Sequence, residues 1–132
     1  MSTKTKRILV LEDDKTTSHI IAWPLMRLGY SVVEAHEAHK AIEFVGEDKV
    51  DLVVCDMMLP DMKGTDALRE MVKASGNVYL KAVFVTSLLS KLAKKGHEAK
   101  IEVDGLHYPA LGKPVRPEVV RAIVERLVGG PN

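Results

Sequence analysis

The stretch Asp51-Leu-Val-Val-Cys-Asp-Met-Met-Leu-Pro-Asp-Met-Lys-Gly64 decides the fold of this chain. Its β-branched apolar run ends abruptly in a carboxylate, a proline and a glycine, a pattern typical of a buried strand followed by a tight loop. The strand therefore delivers Asp56 to its C-terminal end. Because an ionised carboxylate is costly to bury without a cation or hydrogen bonds, we expect partners for Asp56 at the ends of other strands.

Apolar runs alternate with segments of helical periodicity along the rest of the chain. The runs predict five strands, at residues 8–11, 30–34, 52–55, 82–85 and 106–111. Apolar residues at helical spacing predict five helices, at residues 15–28, 38–46, 65–75, 90–97 and 117–127. This order predicts an α/β fold with a parallel sheet wrapped on both faces by right-handed crossovers. Pro109 interrupts the fifth strand and predicts an edge position for it.

Length and composition predict one ordinary globular domain. The 132 residues are enough for one core, which we place at 7–128, with 129–132 as a tail or linker stub. With 46% hydrophobic residues, 28% charged residues and a net charge of +1, nothing steers the chain to nucleic acid or to an anionic membrane. The single cysteine, Cys55, lies in the buried strand, and no signal-peptide or membrane-length apolar run occurs. We expect a cytoplasmic protein.

Polar side chains collect where the predicted strands end, at Glu12, Asp13, Asp56, Thr86 and Lys113. The C-terminal ends of parallel strands meet at one edge of the sheet, where ligands of open α/β folds bind. Two carboxylates about 4 Å apart repel by roughly 4 kcal/mol at an effective dielectric constant of 20, so these acids need a counter-charge. Mg²⁺ takes one or two carboxylates together with phosphate oxygens. The set therefore predicts a Mg²⁺ site and not a calcium cage.

A carboxylate next to Mg²⁺ and a lysine can attack a phosphoryl group and form an aspartyl phosphate. Such a transfer depends on positioning and on neutralising the equatorial oxygens. In this crevice Mg²⁺ and Lys113 can neutralise those oxygens, and Thr86 can donate a hydrogen bond.

Four stretches resemble the receiver domain of two-component response regulators. In addition to residues 51–64, they are Ile8-Leu-Val-Leu-Glu-Asp-Asp14, Val83-Phe-Val-Thr-Ser87 and Gly112-Lys-Pro114. The similarity spans residues 7–128, and the four stretches occur in the right order and spacing. The resemblance implies a doubly wound, flavodoxin-like sheet with the strand order 2-1-3-4-5.

The same resemblance implies a role for each candidate site residue. Asp56 would be the phosphoacceptor, Asp13 a direct Mg²⁺ ligand and Glu12 a ligand through water. The backbone carbonyl of Met58 would complete the protein ligands of the ion. Thr86 and Lys113 would hold the phosphoryl oxygens.

The implied partners are a histidine kinase or histidine phosphotransfer protein as donor, and a downstream output domain or protein as receiver of the signal. Phosphorylation would then shift an equilibrium between two surface states. The domain would catalyse its own Mg²⁺-dependent phosphorylation and dephosphorylation, and we expect it not to be an enzyme acting on a free metabolite.

Three features depart from the family pattern. The aromatic residue that usually lies three residues before the lysine is replaced by Ala110, although Tyr108 lies two residues earlier. The segment between Thr86 and the lysine is longer than expected, with extra residues near 95–104. Met58 and Leu88 are apolar at positions that resemble the family's sites for tuning the attacking water, so we hypothesise slow hydrolysis of the phosphoryl group.

Two other functions stay open. A docking module of the same fold that works without phosphorylation is favoured by Ala110 and by the altered region of the predicted fourth helix. A phosphohydrolase with an aspartyl intermediate is disfavoured, because Met58 occupies the place of its usual acid two residues after the nucleophile.

Other chemically interesting side chains receive ordinary interpretations. We interpret Cys55 as an unreactive core residue and Trp23 as a packed one. We expect His36 and His39 to lie in solvent and not to form a second metal site. A basic helix face is most simply solvated and consists of Lys91, Lys94 and Lys95.

Overall fold

The computed structural model describes residues 5–87 and 99–132. Over these residues the chain forms six strands and four helices. The strands are β1 (Arg7–Leu11), β2 (Ser31–Ala35), β3 (Leu52–Asp56), β4 (Ala82–Thr86), β5 (Ala99–Val103) and β6 (Leu106–Gly112). The helices are α1 (Lys15–Leu28), α2 (Ala38–Glu47), α3 (Gly64–Ser75) and α4 (Pro117–Val128). In the described part of the chain, no helix is both long and apolar enough to cross a membrane.

All strands belong to one sheet with the order β2-β1-β3-β4-β6-β5. Every neighbouring pair is parallel except β5 and β6, which are antiparallel. The predicted α/β, flavodoxin-like fold is confirmed, because β6 takes the fifth place in the predicted order 2-1-3-4-5. The predicted helix at 90–97 lies outside the described residues, together with Leu88, Lys91, Lys94 and Lys95.

The predicted edge position of the strand containing Pro109 is wrong, and the count of five strands is one too low. The additional strand, β5, pairs with β6 and forms the edge of the sheet instead. Asp104 and Gly105 join the two strands with φ angles of 51° and 85°, the left-handed backbone that a two-residue hairpin turn requires. Pro109 is tolerated inside the sheet because pairing of β6 with β4 begins at Ala110, one residue later.

The helices cover both faces of the sheet. Buried side chains of α2 and α3 pack on one face, and those of α1 and α4 pack on the other. β3 is buried along its whole length and contributes alternate residues to the two faces, with Val53 and Cys55 on the first and Leu52 and Val54 on the second. Cys55 is fully buried, which confirms the prediction that it is a core residue, and this burial raises the pKa of its thiol.

Helix α1 begins where the acidic turn after β1 ends. The carboxylate of Asp14 caps it by accepting a hydrogen bond of 2.9 Å from the backbone N–H of Thr17. The buried face of α1 consists of Ser18, Ile21, Ala22 and Leu25. Trp23 lies on the opposite face and is 50% exposed, so the interpretation of this residue as packed is wrong.

The last residues of the chain dock beside the start of β1. The backbone N–H of Lys6 donates a hydrogen bond of 2.7 Å to the carbonyl oxygen of Pro131. The hydroxyl of Tyr30 donates one of 2.6 Å to the carbonyl oxygen of Gly129. These contacts fix residues 129–132 at the edge of the sheet where the parallel strands begin.

Candidate functional site

The ends of β1, β3, β4 and β6 bring four candidate residues to one edge of the sheet. The parallel register places Asp56 beside Val85 of β4, and Thr86 beside Gly112 of β6. Glu12 directly follows β1, and Lys113 directly follows β6. The site therefore results from the strand order and needs no special loop to assemble it.

Three carboxylates converge at this edge. One oxygen atom from each of Glu12, Asp13 and Asp56 lies within 4.8 Å of the others. Glu12 and Asp56 are buried, whereas Asp13 is exposed. At such separations ionised carboxylates repel one another, and a nearby cation is needed to offset that repulsion.

Lys113 supplies positive charge to the two buried acids. Its Nζ atom lies 2.5 Å from Oε1 of Glu12 and 3.3 Å from Oδ2 of Asp56. The backbone N–H of Lys113 donates a hydrogen bond of 2.9 Å to the carbonyl oxygen of Thr86, which fixes the residue at the end of β4. The peptide bond from Lys113 to Pro114 is cis.

Glu12 is a buried acid with a perturbed pKa. Its side chain is 1% exposed, and this burial raises its pKa to about 7 against the opposing influence of Lys113. Oε2 accepts a hydrogen bond of 3.0 Å from the backbone N–H of Asp14. Oε1 has the ion pair with Lys113 but no hydrogen bond of good alignment. Near neutral pH, Glu12 is therefore poised between its two protonation states.

The pKa of Lys113 is set by its acidic neighbours more than by burial. Burial by itself lowers the pKa of the ammonium group, but the close contact with Glu12 and the charges of Asp56 and Glu12 outweigh it. The pKa is raised as a result, so Lys113 is a permanent cation at neutral pH.

The loop after β3 folds back over the backbone of Asp56. The N–H of Met58 donates a hydrogen bond of 3.3 Å to Oδ1 of Asp56, and the N–H of Gly64 donates one of 2.8 Å to the carbonyl oxygen of Met57. A Cβ atom on Gly64 would lie 2.2 Å from the backbone oxygen of Asp56. Only glycine allows this close approach.

Asp61 ties the same loop to helix α2, which sequence reasoning missed. Its carboxylate accepts hydrogen bonds of 3.0 Å from the backbone N–H groups of Ala38 and His39, at the start of α2. Glu37 precedes α2 but makes no side-chain capping bond. The absence of a Ser, Thr, Asp or Asn cap was the available signal, but it does not indicate which distant residue takes that place.

The two histidines of this region differ in their surroundings. Nδ1 of His39 lies 2.5 Å from Oδ2 of Asp61 on the exposed surface. Nδ1 of His36 lies 3.0 Å from the carbonyl oxygen of Glu12 and is partly buried. The prediction that both rings lie in solvent is therefore wrong for His36, which supports the backbone of the acidic turn.

Thr86 is the last residue of β4, and Met58 lies in the loop after β3. Thr86 is 2% exposed at the end of β4. The side chain of Met58 is exposed, and its backbone pairs with Lys63 in an isolated bridge.

The aromatic residue Tyr108 packs into the core on the same face of the sheet as Ala110. Its ring meets Phe84 edge to face, with 6.1 Å between centroids and 84° between planes. Ala110 is fully buried beside Phe84 in the adjacent strand. Pro109 therefore does not disturb the alternation of β6, and a phenylalanine of β4 lies beside the position where the family usually has an aromatic side chain.

The residues of this edge fit a hard divalent cation. Their ligand atoms are carboxylate oxygens, and Oε1 of Glu12 lacks a well-aligned hydrogen bond although it is buried. Mg²⁺ prefers such oxygen ligands and retains several waters, so it does not require a complete protein cage. The acidic cluster thus has the composition of a magnesium site.

Comparison with known proteins shows which family the sequence matches. The family model of the response regulator receiver domain matches residues 8–125. Over 88 residues the chain is 36% identical to the uncharacterized transcriptional regulatory protein YrkP of Bacillus subtilis, and the match covers 67% of this chain and 36% of that protein. The chain thus spans little more than a third of this relative.

Solved structures show the same fold. The N-terminal domain of a response regulator/sensory box/GGDEF 3-domain protein from Carboxydothermus hydrogenoformans is 28% identical, with a TM-score of 0.74 and coverage of 93% of this chain and 94% of that one. The receiver domain of the sensor histidine kinase PA1611 from Pseudomonas aeruginosa is 20% identical, with a TM-score of 0.74 and coverage of 96% and 99%. That structure has a magnesium ion coordinated in its active site cleft.

Proposed function

This chain belongs to the family of response regulator receiver domains, and from that premise we propose that it is a phosphoacceptor switch that receives a phosphoryl group on Asp56. The observation that carries the proposal is the position of Lys113. Lys113 follows β6, and its Nζ atom contacts both Glu12 and Asp56. The lysine therefore links the acidic cluster to β6.

The chain's own residues have distinct parts in the proposed transfer. One carboxylate oxygen of Asp56 attacks the phosphorus of a phosphohistidine, the new O–P bond forms as the N–P bond breaks, and the histidine nitrogen recovers a proton from solvent. Lys113 and Thr86 hold the phosphoryl oxygens. The N–H of Met58, which donates to Oδ1 of Asp56, orients the carboxylate.

A magnesium ion would neutralise the charge that develops on the phosphoryl oxygens during the transfer. Asp13, Asp56 and the backbone carbonyl of Met58 would hold the ion directly, and Glu12 would hold it through water. The raised pKa of Glu12 supports this assignment, because a nearby divalent cation favours the ionised form that burial disfavours.

The proposal extends to partners, turnover and location. A histidine kinase or histidine phosphotransfer protein donates the phosphoryl group in the cytoplasm, and a downstream output domain or protein responds to it. The domain catalyses its own phosphorylation and dephosphorylation and no reaction of a free metabolite. The exposed apolar side chain of Met58 supports slow hydrolysis, because it offers no hydrogen bond to an attacking water.

The test is the intact mass of the protein after incubation with acetyl phosphate and Mg²⁺. We expect a gain of one phosphoryl group in the wild type and none in Asp56→Asn. Asp66→Asn is the matched control, because Asp66 is an exposed acid on α3 and its removal leaves the acidic cluster intact. Equal labelling of the wild type and Asp56→Asn would refute the assignment of the acceptor.

A second candidate function is a docking module that works without phosphorylation. The observation that favours it is the small side chain of Ala110, buried beside Phe84 and Tyr108, because it removes the aromatic group that family members usually have there. Titration with beryllium fluoride and Mg²⁺ separates the two functions. Saturable binding supports the switch, and its absence supports the docking module.

A further inference from the structure

The outer edge of β5 is open in the part of the chain that the structure describes. β5 is the last strand in the order of the sheet, and no strand among residues 5–87 and 99–132 pairs with its outer side. Ala99, Ile101 and Val103 face the core on the side of α2 and α3. Lys100 and Glu102 are exposed and lie on the other face of the strand.

The geometry of the hairpin determines which backbone groups point outward. The two-residue turn at Asp104 and Gly105 makes Val103 and Leu106 a hydrogen-bonded pair. Hydrogen-bonded and non-hydrogen-bonded pairs alternate along an antiparallel ladder. Lys100 and Glu102 therefore direct their N–H and C=O groups away from β6. Pro109 agrees with this assignment, because it lies opposite Lys100 and has no N–H to donate.

We propose that β5 pairs antiparallel with β5 of a second copy of this chain, about a two-fold axis beside Ile101. In this register Lys100 lies opposite Glu102 of the second copy, and each such pair exchanges both of its outward backbone hydrogen bonds. The two Ile101 residues form the non-hydrogen-bonded pair at the centre, where side chains approach most closely. The dimer extends the sheet across the interface by strand addition.

Charge selects this register over its neighbours. Only residues 100 and 102 of β5 have outward backbone groups within the interior of the strand, so the pairing can shift only in steps of two residues. A shift in one direction places Lys100 opposite Lys100, and a shift in the other places Glu102 opposite Glu102. Like charges directly opposite each other destabilise a sheet, whereas opposite charges stabilise it.

An alternative interpretation gives the charges the reverse effect. Charged side chains on edge strands commonly prevent association, and Glu102 already has a neighbour in its own chain, since its Oε1 lies 3.5 Å from Nε2 of His107. Under that interpretation the order of the two charges is irrelevant. Exchanging them therefore distinguishes the two interpretations.

The experiment is sedimentation velocity of the full chain over a range of concentrations, without any phosphoryl donor. We expect a concentration-dependent dimer for the wild type. Glu102→Lys, and separately Lys100→Glu, place like charges opposite each other in both symmetric pairs, so each should weaken the dimer about tenfold. The double variant K100E/E102K restores opposite charges and should restore the dimer.

Two controls make the result decisive. Lys40→Glu makes the same change of charge as Lys100→Glu on exposed α2 and should leave the dimer unchanged. Glu102→Pro removes an outward N–H and no hydrogen bond to β6. This variant should be folded by circular dichroism and monomeric by sedimentation velocity. A wild type that is monomeric at every concentration, single variants that dimerise as the wild type does, or a double variant that stays as weak as the single ones would each overturn the proposal.

Discussion

The two halves of the sheet differ in regularity, although both contribute to the site. The half formed by β2, β1 and β3 is entirely parallel and supplies the three acids. The half formed by β4, β6 and β5 supplies Lys113 and Thr86 but ends in an antiparallel hairpin. Short contacts at the strand ends hold Lys113 to the two buried acids, and no candidate site residue lies on β5.

Lys113→Met should have the largest effect of the substitutions, because this lysine links the two halves of the sheet through its contacts with Glu12 and Asp56. Loss of a preorganised charge-stabilising donor typically lowers a rate by about 10²–10³-fold, and we expect a loss of that size in the initial rate of phosphorylation by acetyl phosphate. Lys40→Met, on the exposed surface of α2, is the control and should react as the wild type does. A rate within a few-fold of the wild type in Lys113→Met would show that the two halves act independently.

Glu12→Gln would isolate the contribution of one of the two buried acids in the parallel half. The pKa of Glu12 is raised from 4.5 to about 7 by burial, so the folded state binds this proton more tightly than the unfolded state. The contribution of Glu12 to stability should therefore decrease as the pH rises from 4.5 to about 7. At about 1.4 kcal/mol per pKa unit, the decrease is about 3 kcal/mol in the absence of a divalent cation.

Urea unfolding of the two proteins across this pH range, in a chelator, measures the effect. The difference in free energy of unfolding between Glu12→Gln and the wild type should increase in favour of the variant as the pH rises, and Mg²⁺ should reduce that difference. Parallel pH profiles of the two proteins would mean that burial does not perturb Glu12. Lys113 does not complicate the measurement, because its raised pKa leaves it charged throughout.

Gly64→Ala tests how strictly the loop beside Asp56 is determined. The added Cβ would meet the backbone oxygen of Asp56 at 2.2 Å, so the loop or the strand must move. Overpacking of this kind costs about 1–3 kcal/mol, measured as the free energy of unfolding in urea.

Gly46→Ala is the matched control for this loop variant. At Gly46, inside α2, the nearest atom to an added Cβ is 3.7 Å away, and alanine in a helix interior is favoured by about 0.5–1 kcal/mol. The two alanine substitutions should therefore change stability in opposite directions. Equal effects would contradict the special role of position 64.

Asp104→Asn should have the smallest effect, because it acts on the variable edge. Nε of Arg69 lies 3.1 Å from both carboxylate oxygens of Asp104, but the pair is exposed. Exposed pairs contribute about 0.2–1 kcal/mol, and asparagine tolerates the left-handed backbone of this position. We expect a loss within that range by thermal or urea unfolding and an unchanged rate of phosphorylation. A large loss of stability or of phosphorylation rate would show that the hairpin contributes to the site.

The parallel part of the fold was predictable because its signals are local. Each of its strands is a short apolar run, and each run ends at a polar residue or a turn, so the sequence indicates both the strand and the residue at its end. The position of Lys113 at the same edge of the sheet was predictable for the same reason, because the residue comes shortly after the last apolar run.

The hairpin was missed although its signals are local too. The stretch Ala-Lys-Ile-Glu-Val103 alternates apolar with charged residues, and Asp104-Gly105 follows it, which is the pattern of a two-residue β-hairpin. The capping of α2 by Asp61 was missed because it joins residues far apart in sequence. Trp23 was misplaced because its neighbours on α1 are apolar on both faces.

The docked tail gives the domain a fixed attachment point. The carbonyl of Pro131 accepts a hydrogen bond from Lys6, and the hydroxyl of Thr5 donates one to Oδ1 of Asn132. A polypeptide joined at residue 5 or at residue 132 would therefore start from nearly the same place, on the far side of the sheet from the carboxylates. A reporter protein placed there would leave the acidic crevice open to a donor. For the same reason, a short linker between the two ends should permit a circularly permuted chain with new termini in a surface loop.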